Sequence, residues 1–281
     1  MSNPFEIIEP TCISFSGGRT SAYMLYKVLE AHDMSLPDEA IVCFQNTGKE
    51  DEATLAFVHE CETRWNVKIH WIEYRNNDQG YAVVDYETAS RNGQPFEELI
   101  RKSNYLPSAV KRICTAQLKI RPQAKYMRDL GIFGDIGYSV IENMSWVGIR
   151  ADEQRRAAKI ADKSRIPLWS DGVTKETVGQ FWRNQEFDLG LPNNNGVTMH
   201  GNCDLCFLKP MAQIASLVAE KPSRAVWWAQ MEEFAATTAK KPSDAVFSRD
   251  RPSYAAMLKF SADQKDMFDP NEEAIACFCG D

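Results

Sequence analysis

Six residues, Ser16-Gly17-Gly18-Arg19-Thr20-Ser21, separate a short β-prone run from a stretch with helical spacing. Paired glycines at such a junction let backbone N–H groups approach the oxygens of a phosphate or sulfate. A helix that begins there adds the positive end of its dipole. Ser16, Thr20 and Ser21 offer hydroxyl donors, and Arg19 offers charge. An ordinary glycine turn with Thr20 near a helix start has the same local pattern. The Gly-Lys-Ser/Thr ending of a Walker loop is missing, and so is the G-x-G-x-x-G dinucleotide fingerprint.

Cysteines form the second constellation. Of the eight, Cys12, Cys43 and Cys61 sit among apolar residues or on a helical pattern and read as small core side chains. Cys114, Cys203, Cys206, Cys277 and Cys279 stand near polar residues or glycines and call for a chemical explanation. Cys203-Asp204-Leu205-Cys206 is a thiolate clamp suited to a soft metal. With Cys277 and Cys279 it has the ligand count of a structural zinc site. A redox disulfide between Cys203 and Cys206, or unligated thiols, are the other readings. His200, beside Gly201, suits a metal ligand or a cap equally.

Charge is the third signal. From Arg101 to Arg128 the chain carries eight Lys or Arg residues and no acid. This block is either a solvated basic helix face or a site for a polyanion, a small phosphate or sulfate ester or a nucleic-acid backbone. A net charge of −7 excludes a protein whose whole surface grips nucleic acid. Arg150, Arg155 and Arg156 suit a bidentate anion clamp, or a surface cluster with Asp152 and Glu153.

Elements must position these groups. Thr11–Ser16, Ala40–Phe44 and Val67–Tyr74 read as strands, with helices over Arg19–His32 and Glu52–Trp65 between them. Strand and helix alternate at βαβ spacing, which predicts an α/β fold with a parallel, Rossmann-like sheet. Residues 75–108 read as a polar insertion or flap, and a basic helical stretch follows from about Ser108 to Leu130. Ser145–Ile149 is a further strand. Beyond Pro167 short helices are expected around the Cys203–Cys206 pair, packed by Trp182, Trp227 and Trp228. The division expected is a core over 1–165 and a helical, cysteine-bearing region over 166–281. No run of eighteen apolar residues occurs and Met1–Pro10 lacks a signal-peptide pattern, so no membrane association and a cytoplasmic location are expected.

The Ser16–Ser21 loop resembles the PP-loop of the ATP pyrophosphatase superfamily, and the chain is more specifically similar to the phosphoadenosine phosphosulfate (PAPS) reductase family. Four further segments match in order: Asn46-Thr47-Gly48-Lys49-Glu50, Cys114 to Pro122, Trp146 to Glu153 with Gly148 and Arg150, and Pro167-Leu168-Trp169. The likeness covers residues 11 to 185. It implies an adenine nucleotide lying across the carboxyl ends of the strands, held by residues 16–21, Asn46, Thr47, Gly48, Gly148 and Arg150.

In the iron–sulfur branch of that family a Cys-Cys pair precedes a Cys-x-x-Cys pair. The resemblance therefore implies a 4Fe–4S cluster on Cys114, Cys203 and Cys206, with zinc as the rival. Here Ile113 stands at the first position of the early pair, leaving the fourth ligand to Cys277 or Cys279, or to an exogenous group. The tail at Cys277-Phe278-Cys279-Gly280-Asp281 resembles the segment carrying the family's nucleophilic cysteine, which makes Cys279 the catalytic candidate. Asn46 in place of an acid, and Arg19-Thr20 in place of Lys-Asp, depart from the pattern and weaken the case for magnesium.

Three functions follow as expectations. The first is a PAPS reductase-like enzyme acting on an adenine nucleotide or sulfonucleotide with a thiol reductant. The second is an ATP-pyrophosphatase-type enzyme for sulfur modification of nucleic acid, bound through 101–128. The third is a non-catalytic nucleotide-binding protein.

Overall fold

The computed structural model describes residues 3–131, 144–160, 164–194 and 197–266. Its centre is a five-stranded sheet: β1 (Thr11–Phe15), β2 (Ala40–Asn46), β3 (Ile69–Tyr74), β4 (Tyr81–Val84) and β5 (Ser145–Val147), in the order β4-β3-β2-β1-β5. β1 pairs in parallel with both β2 and β5, and β2 in parallel with β3. Only β4, at one edge, runs antiparallel to its neighbour. The molecule is a mixed α/β protein with a mostly parallel sheet.

Sequence alternation decides which residues face which layer. Ile13, Phe15, Val42, Phe44, Ile69 and Trp71 point to one face, under α1 (Arg19–Ala31) and α2 (Glu52–Arg64). Those helices contribute Leu25, Val28, Leu29, Leu55 and Val58 to the same core, joined by Leu168, Val178 and Trp182. Cys12, Ile41, Cys43 and Ile72 point the other way, against Ala124 and Met127 of α4 (Arg121–Asp129). All seven residues of β2 are buried, as expected for a strand covered on both faces. Cys12, Cys43 and Cys61 are fully buried, in agreement with their reading as core side chains.

Two expectations are corrected. Residues 75–108 are not a flap: they form β4 and α3 (Gln94–Ser103), with Phe96, Leu99 and Ile100 buried. The i, i+3, i+4 spacing of those three, with Pro95 in the first turn, is a helix signal masked by the polar residues around it. The basic segment is helical only in its later part. Thr115–Ile120 is a π-helical turn that runs into α4, and Arg121 donates its N–H to the Ala116 carbonyl five residues back. Pro122 follows at once, and a proline has no N–H to continue the ordinary i→i−4 ladder.

The chain then passes through α5 (Gln154–Ile160), α6 (Pro167–Ser170) and α7 (Lys175–Arg183) to a short hairpin of β6 (Asn193–Asn194) and β7 (Val197–Thr198). α8 (Met211–Glu220), α9 (Arg224–Thr238) and α10 (Tyr254–Asp266) share a second core with Tyr74, α3 and Leu118. Trp228 is buried at its middle, stacked on Tyr254 and edge-on to Phe247. Among the described residues no helix is long and apolar enough to cross a membrane.

Candidate functional site

The chain leaves β1 at Phe15 and turns through Ser16 and Gly17 into α1. Gly17 has φ +73°, and a Cβ there would lie 2.6 Å from Thr54 Cγ2, with Phe44 and Val58 close behind. Only glycine meets both demands. Ser21 ties the loop: its Oγ accepts from the Ser16 N–H at 3.1 Å and donates to the Gly18 carbonyl at 2.9 Å. Gly18 is the residue before α1; no side chain caps this helix, and no acid lies in its first turn. Ser16 stays exposed, and Gly18 and Thr20 are partly so. The result is an open helix N-terminus with bare N–H groups.

Its place in the sheet gives the loop significance. β1 has β2 on one side and β5 on the other, so the chain builds the sheet outward from β1 to β4 and then crosses back to add β5 on the opposite side of β1. That is the switch point at whose strand carboxyl ends α/β sheets form a crevice. From the β5 side, Gly148 comes within 3.2–3.4 Å (measured from a hypothetical Cβ) of the Ser21 and Thr20 backbone. Arg150 donates to Thr20 Oγ1 at 3.1 Å, and Asp152 holds its guanidinium at 3.0 and 3.2 Å. Gly148 and Arg150 therefore do meet the loop.

Arg19 and Asn46 do not play the parts expected of them. The Arg19 guanidinium is turned from the loop to Asp188, with Nε to Oδ1 at 2.6 Å, and to the Leu191 carbonyl at 3.1 Å. Asp188 keeps a lowered pKa: burial pushes it up, but hydrogen bonds from Arg19 and from backbone N–H groups outweigh that. Asn46 is wholly buried, donating to Glu73 Oε1 at 2.5 Å and to the Ser90 carbonyl at 2.8 Å. Its side-chain oxygen accepts from the Gly48 N–H. Thr47 is buried against Glu50, and Gly48 (φ +76°) backs closely onto Ser90 and Gly93. This turn is internal scaffolding rather than a ligand-facing edge. Arg155 is exposed and Arg156 pairs with Glu153.

The same turn leads to the cysteines. Glu50 and Cys203 form a backbone bridge, Asp204 N–H donates to the Lys49 carbonyl at 2.7 Å, and Thr47 Oγ1 lies 3.4 Å from Cys203 Sγ. Lys49 Nζ pairs with Asp204 at 3.1 Å. The Cys203–Cys206 turn is gripped from below by Lys209, whose ammonium donates to the carbonyls of Gly201, Cys203 and Asp204 at 2.7–2.9 Å. Burial lowers the Lys209 pKa, against the charges around it. Trp228 Nε1 donates to Asp204, and Tyr254 Oη to the Leu205 carbonyl at 2.6 Å.

Lys119 lies within electrostatic reach of Cys114, Cys203 and Cys206, and Cys206 within reach of the other two thiols. All four are partly buried and keep partial solvent contact. Burial, then the charge of Glu50, raises the Cys203 thiol pKa; burial, then Cys206, raises that of Cys114. Burial pulls the Lys119 ammonium down, but Cys203, Glu50 and the other two thiols more than restore it. Among the described residues no three His, Cys, Asp or Glu side chains are gathered tightly enough to enclose a metal ion. Cys277 and Cys279 lie outside the described residues. His200 is buried in a charged knot, 3.1 Å from Glu220 and 3.3 Å from Arg224, which itself pairs with Asp51 at the start of α2.

Lys209, Asp204, Glu50 and Tyr254 were not expected at the site. Only Lys209 carries a local signal, a lysine three residues past a Cys-x-x-Cys pair.

No family model matches the chain. A protein of Escherichia phage lambda, named uncharacterized nin region protein ORF290, is 32% identical over 210 residues, covering 72% of this chain and 67% of that protein.

Proposed function

The chain belongs to the family of the phage lambda nin region protein ORF290, and we propose that it is a PP-loop enzyme of adenine-nucleotide or sulfonucleotide chemistry, related to the PAPS reductases. One observation carries the reading: the uncapped start of α1, with its two glycines, stands at the carboxyl end of β1 where the sheet reverses its winding. Bare N–H groups, Thr20 and Arg150 meet there, and together they suit the phosphate or sulfate of a nucleotide.

The thiol chemistry of Cys114, Cys203 and Cys206 supports a thiolate-held iron–sulfur cluster, with zinc as the alternative, although among the described residues these groups are not gathered into a ready-made metal cage. Such a cluster would supply Lewis-acidic iron, its core charge offset by the thiolates that hold it. Lys209 presets the Cys203–Cys206 turn, and Lys119 balances the thiolates. The Cys279 thiolate attacks the sulfur of a bound sulfonucleotide. The S–O bond breaks, the nucleotide departs with its oxygen, and a cysteine S-sulfonate remains. A thiol reductant then attacks the cysteine sulfur, releasing sulfite and leaving a mixed disulfide.

A second reading, sulfur modification of nucleic acid, is favoured by Lys102, Arg112 and Arg121, exposed or nearly so and without ion pairs among the described residues. By contrast, Arg101 and Lys111 are neutralised by Glu97 and Asp244. The deciding assay pairs sulfite release from PAPS with salt-dependent binding to tRNA or DNA. Sulfite that vanishes on removal of the last five residues supports the reductase. Tight nucleic-acid binding that survives the truncation, with no sulfite formed, supports the modifier. Protein prepared anaerobically should be brown, and Cys→Ser at 114, 203 or 206 should bleach it. A colourless, zinc-loaded protein reverses the ranking of metals.

A further inference from the structure

A groove of about 780 Å³ opens between α8 and α10, lined by Ala215, Ala219, Pro252, Ala256, Met257 and Phe260 among others. Its described lining carries no charge, and only Ser216 and Ser261 are polar. Met257 belongs to the second core, whereas Phe260, further along α10, is 64% exposed. An apolar surface of this size, left open on a folded protein, marks an interaction site.

The groove follows α10 back toward the cysteines. At that end Pro252 stands two residues before Tyr254, whose Oη donates to the Leu205 carbonyl inside the Cys203–Cys206 turn. Arg251, beside that proline, has a buried Nη1 with no hydrogen-bond partner among the described residues. Residues 267–281 follow α10 directly and lie outside the described residues. Their sequence suits the groove. Ala274, Ile275 and Phe278 have the i, i+1, i+4 spacing with which an amphipathic segment fills an apolar groove. Asp269, Glu272, Glu273 and Asp281 supply carboxylates that complement Arg251. Asp269-Pro270-Asn271 is a turn sequence that can reverse the chain. Reach is sufficient as well. From Asp266 back to Tyr254, α10 is about 18 Å long. The eleven residues 267–277 span up to about 36 Å when extended.

We infer that the groove between α8 and α10 seats the chain's own segment 274–278, with Ile275 and Phe278 as its anchors. Seated so, the segment brings Cys277 and Cys279 beside the Cys203–Cys206 turn. The test is photocross-linking in the full chain. Phe278→p-benzoylphenylalanine, irradiated without nucleotide, should cross-link to α8 or α10 at the mass of one chain, the site located by peptide mass spectrometry. With no nucleotide present, the result is independent of the glycine loop. Ala256 is an exposed position, so Ala256→Asp keeps the fold while placing a carboxylate in the groove. The cross-link should then fall about tenfold, as for a charge pressed against apolar groups. Phe278→Asp should unseat the segment and raise the fluorescence of an added apolar dye several-fold over wild type. No cross-link to either helix, or a yield unchanged by Ala256→Asp, would overturn the inference. So would equal dye fluorescence in wild type and Phe278→Asp. A cross-linked product at the mass of two chains would overturn it in favour of a second copy, and an apolar molecule retained by the wild-type protein in native mass spectrometry would assign the groove to that molecule instead.

Discussion

The glycine loop and the cysteine site are built on opposite principles. The loop is almost entirely backbone: Gly17, Gly18 and one returning hydroxyl, Ser21, set its shape within six residues. The cysteine site is held by long-range side-chain contacts. Lys49 reaches Asp204, Thr47 reaches Cys203, and Trp228 and Tyr254 close the turn from α9 and α10. The first kind of site fails when a single Cβ is added. The second yields piece by piece, as individual polar contacts are removed. The following substitutions probe that difference, from the largest effect to the smallest.

Gly17→Ala should cost about 2–5 kcal/mol, because it combines a positive φ with a clash against Thr54, Phe44 and Val58. Chemical denaturation measures this; a loss under 1 kcal/mol would mean that the loop is not fixed by its backbone. Lys209→Met should cost roughly 2–4 kcal/mol by orphaning three carbonyls around one ammonium. It should also lower the metal content of purified protein while leaving nucleotide affinity intact. Equal losses at both sites would erase the contrast between them.

Asn46→Asp places a second carboxylate against the buried Glu73. One of the two carboxyls must take up a proton for the chain to fold, so stability should fall by about 2 kcal/mol at neutral pH and recover as pH drops. Unfolding at pH 7.5 and pH 5 reads the sign directly, and a variant more stable at the higher pH contradicts it.

The smallest effect lies away from both sites. Burial, aided by Lys68, lowers the His70 pKa to about 4 from an ordinary 6.5, and its Nδ1 meets Tyr126 Oη. Between those values the unfolded chain holds a proton that the folded one refuses, so stability falls as pH drops from about 6.5 toward 4. His70→Asn should flatten that part of the pH–stability curve. An unchanged slope would contradict the assignment.

What the sequence made legible follows the same division. β1, α1, β2, α2 and β3 were readable because apolar periodicity is local and strong over 11–74. The loop was readable because its conformation depends on its own glycines. α3 was missed because only Phe96, Leu99 and Ile100 mark its buried face amid polar neighbours. Arg19 was assigned to the ligand because sequence spacing does not reveal Asp188, 169 positions away. Asn46 was assigned likewise, although its partners Glu73 and Ser90 bury it. At the cysteine site, Cys114, Cys203 and Cys206 were visible as residue types, but the contacts of Lys209 and Glu50 with the Cys203–Cys206 turn exist only in three dimensions.

The central claim, that the start of α1 is an anion site for a nucleotide, is tested most directly at Gly18. This residue already has the extended conformation of an N-cap (φ −106°, ψ 158°), and a Cβ there would meet only Ser16 Oγ, at 3.7 Å. Gly18→Asp should therefore fold normally and gain a few tenths of a kcal/mol as its carboxylate caps the free N–H groups. In doing so it takes the place of the ligand. The account predicts an unchanged or raised melting temperature together with loss of calorimetric binding of AMP, ATP and PAPS. A folded Gly18→Asp protein that still bound any of them at wild-type affinity would contradict it.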